Sequence, residues 1–405
     1  MKEFETYILP NGIKGIHRRT KSSIAHCALV INAGTRDERD GEYGLAHFAE
    51  HAFFKGTEHR KAYQVNCRLE NRGGELNAYT TKEDTTIHAT TLRSDFAKAA
   101  ELIADVAFHS TFPEHELQRE REVIIDEINT YKDSPVDMIF DTFEDMIFEG
   151  SELGHNILGT KASLARHNSE SIKRFIARTH TTDQMVFSTI GNFSLSKVKS
   201  VAEQYFGQHV ATKREFSRSK PAMVEPFERV VSKHTHQTHC IIGARAYDIH
   251  AERRLPLSLL INILGGPSAN SRLNVVLREK NGLSYNTEAT YTPYNDSGMV
   301  AIYFSSDHHN ADHCRELIDA ELRSLRSTPL TARRLAMIKR QFLAQMAISM
   351  ENNEGYMLGA GKSYLVHDEI DTLEEVYRKV TAVKAEQIME VAEEIFAKTS
   401  TLIYQ

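Results

Sequence analysis

The 405-residue sequence has no long hydrophobic run, no surplus of basic residues and few cysteines, and each of these absences excludes a class of protein. No apolar stretch approaches the roughly 20 residues that a membrane-spanning helix needs. The 49 basic residues are outnumbered by 55 acidic ones, whereas a dedicated nucleic-acid-binding protein carries a basic surplus. The cysteines (Cys27, Cys67, Cys240 and Cys314) form no CxxC pair, which argues against a disulfide framework or a cysteine zinc site. The chain is therefore predicted to be a globular protein that binds neither nucleic acid nor a membrane.

The first residues, MKEFETYILPNG, also lack the features of a targeting segment. They have no apolar core of the kind found in a secretory signal, and they are not rich in Arg and Ser as a transit peptide is. Free thiols fit a reducing compartment. We therefore predict a cytoplasmic location.

The order of strand-like and helix-like segments is similar in the two halves of the chain, although no residue-level repeat is visible. Between the halves, GQHVATKREFSRSKPAMVEPF is polar and basic and contains two prolines. Mixed strands and long helices predict an α+β fold with two homologous domains, each a mostly antiparallel sheet packed with helices. The predicted domains are 1–208 and 228–405. The segment 209–227 is the predicted linker, in which we expect the Lys and Arg residues of 212–220 to be solvated.

Histidine is abundant, with 20 residues, and one group has the spacing of a metal site. His47, Glu50 and His51 form an HxxEH pattern in a predicted helix. Residues four apart share a helix face, so the two imidazoles can bind one metal. Glu50 lies near the same face and can hydrogen-bond a metal-bound water without being a ligand. The alternative is a pair of solvated surface histidines, and the mostly apolar neighbours count against it.

A third ligand is expected from another helix, because a catalytic zinc takes three protein ligands and keeps one position open. In the helix predicted at 114–132, Glu120 and Glu127 share one stripe with Leu117, Ile124, Ile128 and Tyr131. That stripe is mostly apolar and faces the core. An unpaired buried carboxylate is costly, so each glutamate needs a partner. A metal is one such partner, and salt bridges to Arg or Lys are the alternative.

These residues closely resemble the M16 metallopeptidases, the family of pitrilysin, insulin-degrading enzyme and mitochondrial processing peptidase, over essentially the whole chain. That family carries HxxEH, a glutamate ligand about 76 positions later and a second functional glutamate seven residues before the ligand. Here Glu127 follows His51 by 76 positions and Glu120 precedes Glu127 by seven. Further matching segments are Leu9-Pro10-Asn11-Gly12, Ala33-Gly34-Thr35-Arg36 and Phe54-Lys55-Gly56-Thr57.

The resemblance implies a zinc-dependent endopeptidase. His47, His51 and Glu127 would bind one Zn²⁺ per chain and leave a position for water. Glu50 would be the general base that takes a proton from the zinc-bound water, and Glu120 would orient a ligand or assist the base. The same ligands also accept manganese or cobalt.

The resemblance also implies substrate contacts and an assembly. Asn77 and Ala78, after Gly73-Gly74, match the strand segment with which family members hold substrate, so an extended small or unfolded peptide would pair there as an added strand. Arg278 and Tyr285, in LREKNGLSY, match an Arg/Tyr pair of a later domain that contacts substrate near the metal. This chain has room for two of the four domains found in the large single-chain members. We therefore expect a homodimeric chamber in which these two residues act in trans.

Two other functions stay open. The family includes non-catalytic structural or partner subunits, although such relatives typically lose the metal residues that this chain keeps. A zinc hydrolase acting on a non-peptide bond is the other alternative. The remaining histidine groups are interpreted as surface residues: His308-His309 with His313-Cys314, and the alternating set His234, His236 and His239.

Overall fold

The structure, a computed structural model, describes residues 3–405 and contains two mixed β-sheets packed with helices. The first sheet consists of β1 Glu5–Ile8, β2 Lys14–Arg19, β3 Ile24–Ile31, β4 Glu75–Thr80, β5 Thr85–Leu92 and β6 Met185–Gly191. Its strands lie in the order β1-β2-β6-β3-β5-β4. The pair β2 and β6 is parallel, and the other neighbours are antiparallel.

The second sheet repeats this arrangement. It consists of β7 Glu228–Val231, β8 Thr238–Ala246, β9 Thr287–Pro293, β10 Gly298–Ser306 and β11 Ser400–Tyr404. The order is β7-β11-β8-β10-β9, with β7 and β11 parallel and the other neighbours antiparallel. Apart from β1, the two sheets therefore match strand for strand. The predicted α+β fold with two similar, mostly antiparallel sheets is confirmed.

The helices cover these sheets. In chain order they are α1 Leu45–Phe53, α2 Ala62–Glu70, α3 Phe96–His109, α4 Glu114–Lys132, α5 Pro135–Ile147, α6 Lys161–Leu164, α7 Ser169–Thr179, α8 Leu195–Tyr205, α9 Arg254–Gly265, α10 Ala311–Ser327, α11 Ala332–Ser349, α12 Asn353–His367, α13 Leu373–Ala382 and α14 Ala385–Ile395. A π-helical turn, Asn274–Glu279, lies between α9 and β9. Within residues 3–405, none of the helices is both long and apolar enough to cross a membrane.

Both faces of each sheet are buried under helices. On the first sheet, alternate residues of β3 such as Leu29 join a core with α1 and α3, whereas Val30 faces α12. On the second sheet, Ile242 of β8 joins a core with α9, α10 and α14, whereas Ile241 faces α5. Because successive side chains of a strand point to opposite faces, each central strand contributes to two cores.

The chain forms two compact units within the described residues, and neither unit is a consecutive segment. The first contains the chain up to Ile128, His155–Arg218 and Ile348–Thr372, and the second contains Asn129–Gly154, Ser219–Ala347 and Leu373–Gln405. The predicted boundaries at 1–208 and 228–405 therefore differ from these units in two segments. The reason is that α5 packs on the second sheet and α12 packs on the first, although each comes from the sequence between the strands of the other sheet.

The segment predicted to be a solvated linker, 209–227, is partly anchored to the first unit. The Arg218 side chain is only 7% exposed, and its guanidinium donates to both carboxylate oxygens of Asp37 at 2.9 and 2.8 Å. Arg214 is half-buried and donates to the carbonyl oxygen of Asn32. The expectation that the basic residues of 212–220 are solvated is therefore wrong for these two arginines, because acidic and carbonyl groups of the first unit receive them.

Candidate metal centre

The helix that carries the HxxEH pattern, α1, begins at a fixed backbone position. Gly44 precedes it with φ +84°, and a Cβ there would lie 2.7 Å from the carbonyl oxygen of Leu158, so only glycine fits. The buried Glu38 carboxylate accepts hydrogen bonds from the amides of Gly44 and Ala46 at 3.0 and 2.7 Å. This external carboxylate supplies the cap that the Gly44 side chain cannot, and the Ala46 amide that it binds immediately precedes His47.

His47 and His51 of α1 converge with Glu127 of α4. The Nε2 atoms of His47 and His51 lie 3.8 and 3.6 Å from Oε2 of Glu127. One possible ligand atom from each residue lies within 4.8 Å of the others, and in the described part of the chain this is the one group of its kind. Two atoms bound tetrahedrally to a zinc at about 2.0–2.1 Å lie about 3.3 Å apart. The three side chains therefore fit a zinc ion, although their role as ligands stays a prediction.

Glu120 fixes the orientation of His51. Its Oε1 lies 2.9 Å from Nδ1 of His51, so Nδ1–H donates to the carboxylate and the Nε2 lone pair is left on the side of Glu127. The other carboxylate oxygen, Oε2, lies 2.5 Å from Nζ of Lys55. Glu120 thus forms a salt bridge to a lysine, which was the alternative to metal binding, whereas Glu127 faces the two histidines.

Burial and charge set the protonation of this centre. Burial, followed by the charge of His51, lowers the pKa of His47 to about 3, so its imidazole is neutral at pH 7 as a metal ligand must be. Burial would also lower the pKa of His51, but the hydrogen bond to Glu120 and the neighbouring carboxylates raise it overall. Without a metal, the carboxylates therefore favour a positive charge on this imidazole.

Glu50 lies between the two histidines in sequence and is half-buried beside β4. Burial raises its pKa above the ordinary range of a carboxyl group, and hydrogen bonding to Thr80 of β4 opposes the rise. A carboxyl group with a raised pKa accepts a proton more readily near neutral pH. The position and the environment of Glu50 suit the predicted general base.

The predicted strand segment for substrate lies on β4, at the edge of the first sheet. Asn77 is exposed and is paired in register with His88 of β5, whereas Ala78 is partly buried against the first core. Helix α1 packs on the same strand. The first unit thus brings the edge strand beside the helix that carries Glu50.

The other two predicted substrate residues belong to the second unit, whereas the two histidines belong to the first. Arg278 is in the π-helical turn, with Nε 3.8 Å from Oε1 of Glu279. The side chain of Tyr285 is 85% exposed. Contact of either residue with substrate stays a prediction.

The remaining histidine groups are not metal clusters in the described residues. His234, His236, His308 and His309 are exposed, as expected. The surface interpretation is wrong for Cys314 and His239, because both are buried. His239 lies on β8, with its Nδ1 2.8 Å from the Tyr303 hydroxyl.

Three residues at the centre carry no sequence signal of their own: Glu38, Lys55 and Thr80. Lys55 falls within the matching segment Phe54-Lys55-Gly56-Thr57, which identified the position but not its contact. Glu38 and Thr80 reach α1 from outside the helix, so the periodicity of α1 contains no information about them.

Known families and structures resemble the chain over most of its length. The model of insulinase (peptidase family M16) matches residues 16–161, and that of the peptidase M16 inactive domain matches residues 167–342. Among solved structures, a protease from Helicobacter pylori has a TM-score of 0.91 at 22% identity and covers 99% of both chains. A peptidase M16 inactive domain from Pseudomonas fluorescens has a TM-score of 0.92 at 18% identity, with 99% of this chain and 97% of that chain covered.

Curated relatives are closer in sequence. An uncharacterized zinc protease of Bacillus subtilis is 33% identical over 399 residues, which is 98% of this chain and 96% of the relative. An uncharacterized zinc protease of Rickettsia bellii is 31% identical over 382 residues, with 92% and 90% covered. From these relatives and the two family matches, the chain belongs to peptidase family M16, and the resemblance predicted from the sequence is confirmed.

Proposed function

We propose that the protein is a zinc-dependent endopeptidase whose general base is Glu50. The observation that carries this proposal is the convergence of His47, His51 and Glu127 on one point, with Glu50 on the same helix. The names of the relatives from Bacillus subtilis and Rickettsia bellii support zinc as the metal and proteolysis as the activity.

His47, His51 and Glu127 would hold one zinc ion per chain. Bound there, zinc would act as a Lewis acid that activates water and polarises the carbonyl group of the scissile bond. The neutral His47, the fixed ring of His51 and the charge of Glu127 are the groups that such an ion requires.

Glu50 would move the proton that hydrolysis requires. As the water oxygen attacks the carbonyl carbon, the Glu50 carboxylate accepts a water proton. It then donates this proton to the amide nitrogen as the C–N bond breaks, which leaves a free carboxyl group and a free amine. Glu120 would act through His51, by holding its ring in the orientation that the hydrogen bond sets.

The substrate would be an extended peptide paired with β4. An edge strand offers backbone groups to an added strand, and such pairing gives affinity with modest side-chain selectivity. Small or unfolded peptides fit this mode because a folded protein does not present a free strand. Asn77 and Ala78 would be the pairing segment.

The assembly would be a homodimer in which Arg278 and Tyr285 reach the metal centre of the other copy. The support for this is the family resemblance of LREKNGLSY and the exposure of Tyr285. Because Tyr285 is 85% exposed, its ring is accessible to a substrate or to a second copy of the chain.

The test pairs the wild type with Glu50→Gln and measures zinc content and cleavage of a quenched peptide mixture. We expect about one zinc per chain in both proteins and a loss of roughly 10²–10⁴-fold in cleavage for the variant. Glu122→Gln, an exposed glutamate of α4, is the matched control and should cleave like the wild type. Zinc binding without any peptide cleavage by the wild type would instead favour a non-catalytic subunit.

A further inference from the structure

Lys55 connects the surface of the first unit to a predicted metal ligand. It lies just after the end of α1, where its amide donates to the carbonyl oxygen of Ala52 at 3.1 Å. Its Nζ lies 2.5 Å from Oε2 of Glu120, and Oε1 of the same carboxylate lies 2.9 Å from Nδ1 of His51. A continuous chain of charged hydrogen bonds therefore runs from Lys55 to the ring that faces Glu127.

The charges of the centre favour a cation at this position. Three carboxyl groups, those of Glu50, Glu120 and Glu127, surround the two histidines of α1. When all three are ionised, a divalent metal ion offsets two of their negative charges and leaves one negative charge uncompensated. The Lys55 ammonium, placed on the carboxylate that does not face the metal position, balances it. Uncompensated charge in a largely buried site is expensive, so this balance favours a bound metal.

We propose that Lys55 is a positioning residue of the metal centre: by clamping Glu120, it holds the imidazole of His51 with Nε2 toward the metal. The inference rests on the proposed function for the identity of the metal. Because both of its oxygens are engaged, rotation of the Glu120 carboxylate away from His51 would also break its ion pair with Lys55. Partners that fix a ligating histidine typically change metal affinity by about 10–100-fold when they are removed.

A plain surface ion pair is the alternative, and its contribution would be small. Exposed pairs contribute little because water screens them and both side chains lose freedom. Here the side chains of Lys55 and Glu120 are 24% and 10% exposed, and the carboxylate has a second partner in the centre. The two interpretations differ in one measurable respect: only the positioning role makes the effect of Lys55 depend on Glu120.

The experiment measures zinc dissociation constants by chelator competition on the full chain, without peptide. The variants are Lys55→Met, Lys55→Arg, Glu120→Gln and the double variant Lys55→Met/Glu120→Gln. We expect Lys55→Met to weaken zinc binding at least about tenfold and Lys55→Arg to restore most of it. The double variant should bind zinc no more weakly than Glu120→Gln alone, because coupled residues are not additive.

Lys61→Met is the matched control. Lys61 is exposed and lines the same 600 Å³ cavity as Lys55, so the variant removes the same charge from the same wall. Its zinc affinity should equal that of the wild type. Thermal unfolding of the metal-free proteins separates misfolding from a local effect, and all variants should melt within a few degrees of the wild type.

Two results would overturn the positioning role: unchanged zinc affinity in Lys55→Met, or losses from Lys55→Met and Glu120→Gln that add in the double variant. The proposed function is tested separately by peptide cleavage. If the wild type binds zinc with the expected coupling but cleaves no peptide, the endopeptidase proposal fails and the role of Lys55 stands. If the wild type cleaves peptide and Lys55→Met binds zinc normally, the endopeptidase proposal stands and the positioning role of Lys55 fails.

Discussion

The two units share a strand order but differ in the helix that follows their central strand. In the first unit the chain passes from β3 to α1, whose sequence LAHFAEHAF carries two histidines and a glutamate. In the second unit it passes from β8 to α9, whose sequence RLPLSLLINILG contains no metal-ligating residue. Both helices are largely buried. The same scaffold thus holds a helix with a predicted metal-binding motif in one copy and a helix without one in the other, so the fold alone does not specify the chemistry.

The helices on the opposite faces of the sheets show how each unit accommodates close packing. In the first unit the small residue is on the helix: a Cβ on Gly361 of α12 would lie 2.9 Å from Cγ2 of Val30 and 3.1 Å from Cβ of Ser188. In the second unit it is on the strand: a Cβ on Gly243 of β8 would lie 2.8 Å from the ring of Phe143 of α5. A glycine thus permits close packing of a helix on a sheet whether it lies on the helix or on the strand.

The largest expected effect is the loss of the metal from the first unit. His51→Ala removes one of three predicted ligands, so we expect zinc affinity to fall by more than the ~100-fold limit for supporting residues, and peptide cleavage to disappear. Elemental analysis and the quenched-peptide assay measure both. The control is His313→Ala in α10, an exposed histidine of the second unit, which should keep full zinc content. Equal zinc content in the two variants would contradict the assignment.

A smaller effect is expected from packing in α12. Gly361→Ala should lower the free energy of unfolding by about 1–3 kcal/mol, because the added methyl group meets Val30 and Ser188. Gly359→Ala makes the same chemical change on the same helix, but apart from the local helix backbone no atom lies within 4 Å of the added Cβ. It should stabilise the protein by about 0.5–1 kcal/mol through helix propensity. Urea unfolding compares them, and equal shifts for both variants would refute the close contact.

At neutral pH the smallest expected effect comes from His180, because its contribution to the stability of the first unit changes only in acid. Burial lowers the pKa of His180 to about 4 from 6.5, so the unfolded chain takes up a proton first as the pH falls. The contribution of the neutral His180 ring to the free energy of unfolding is complete above pH 6.5 and is lost between pH 6.5 and 4. About 2 kcal/mol of it is lost at pH 5. The ring lies among those of Phe53 and Phe175, so His180→Phe should fit and remove this loss.

Urea unfolding at pH 7 and pH 5 gives the required comparison for His180. The difference between the two pH values should be about 2 kcal/mol smaller in His180→Phe than in the wild type. The exposed His309 provides the control, because His309→Phe should keep the wild-type difference. A wild-type difference in His180→Phe would show that other groups cause the acid sensitivity.

Local patterns predicted much of the fold and the centre of the site. The HxxEH spacing places His47 and His51 on one helix face from helix geometry alone, and the stripe on α4 predicts that Glu120 and Glu127 face inward. The two similar halves follow from the order of the strand-like and helix-like segments. Each of these features is encoded within a single helix or in the order of neighbouring segments.

Features that depend on distant partners could not be predicted in this way. The basic composition of 212–220 indicated a solvated linker, but Arg218 meets Asp37 from 181 positions away. Nothing in the sequence of α5 or α12 shows which sheet each helix covers. Glu38 caps α1 from outside the helix, and Lys55, just after α1, pairs with Glu120 of α4. Such contacts belong to the tertiary structure and leave no periodic signal.

The central claim is that the metal belongs to the first unit alone, and anomalous X-ray diffraction tests it most directly. Crystals of the zinc-loaded protein, measured on both sides of the zinc absorption edge, locate every ordered zinc ion. We predict one peak per chain, bounded by His47, His51 and Glu127, and no peak in the second unit. A peak coordinated by other residues, or no peak between these three in zinc-saturated protein, would contradict the account.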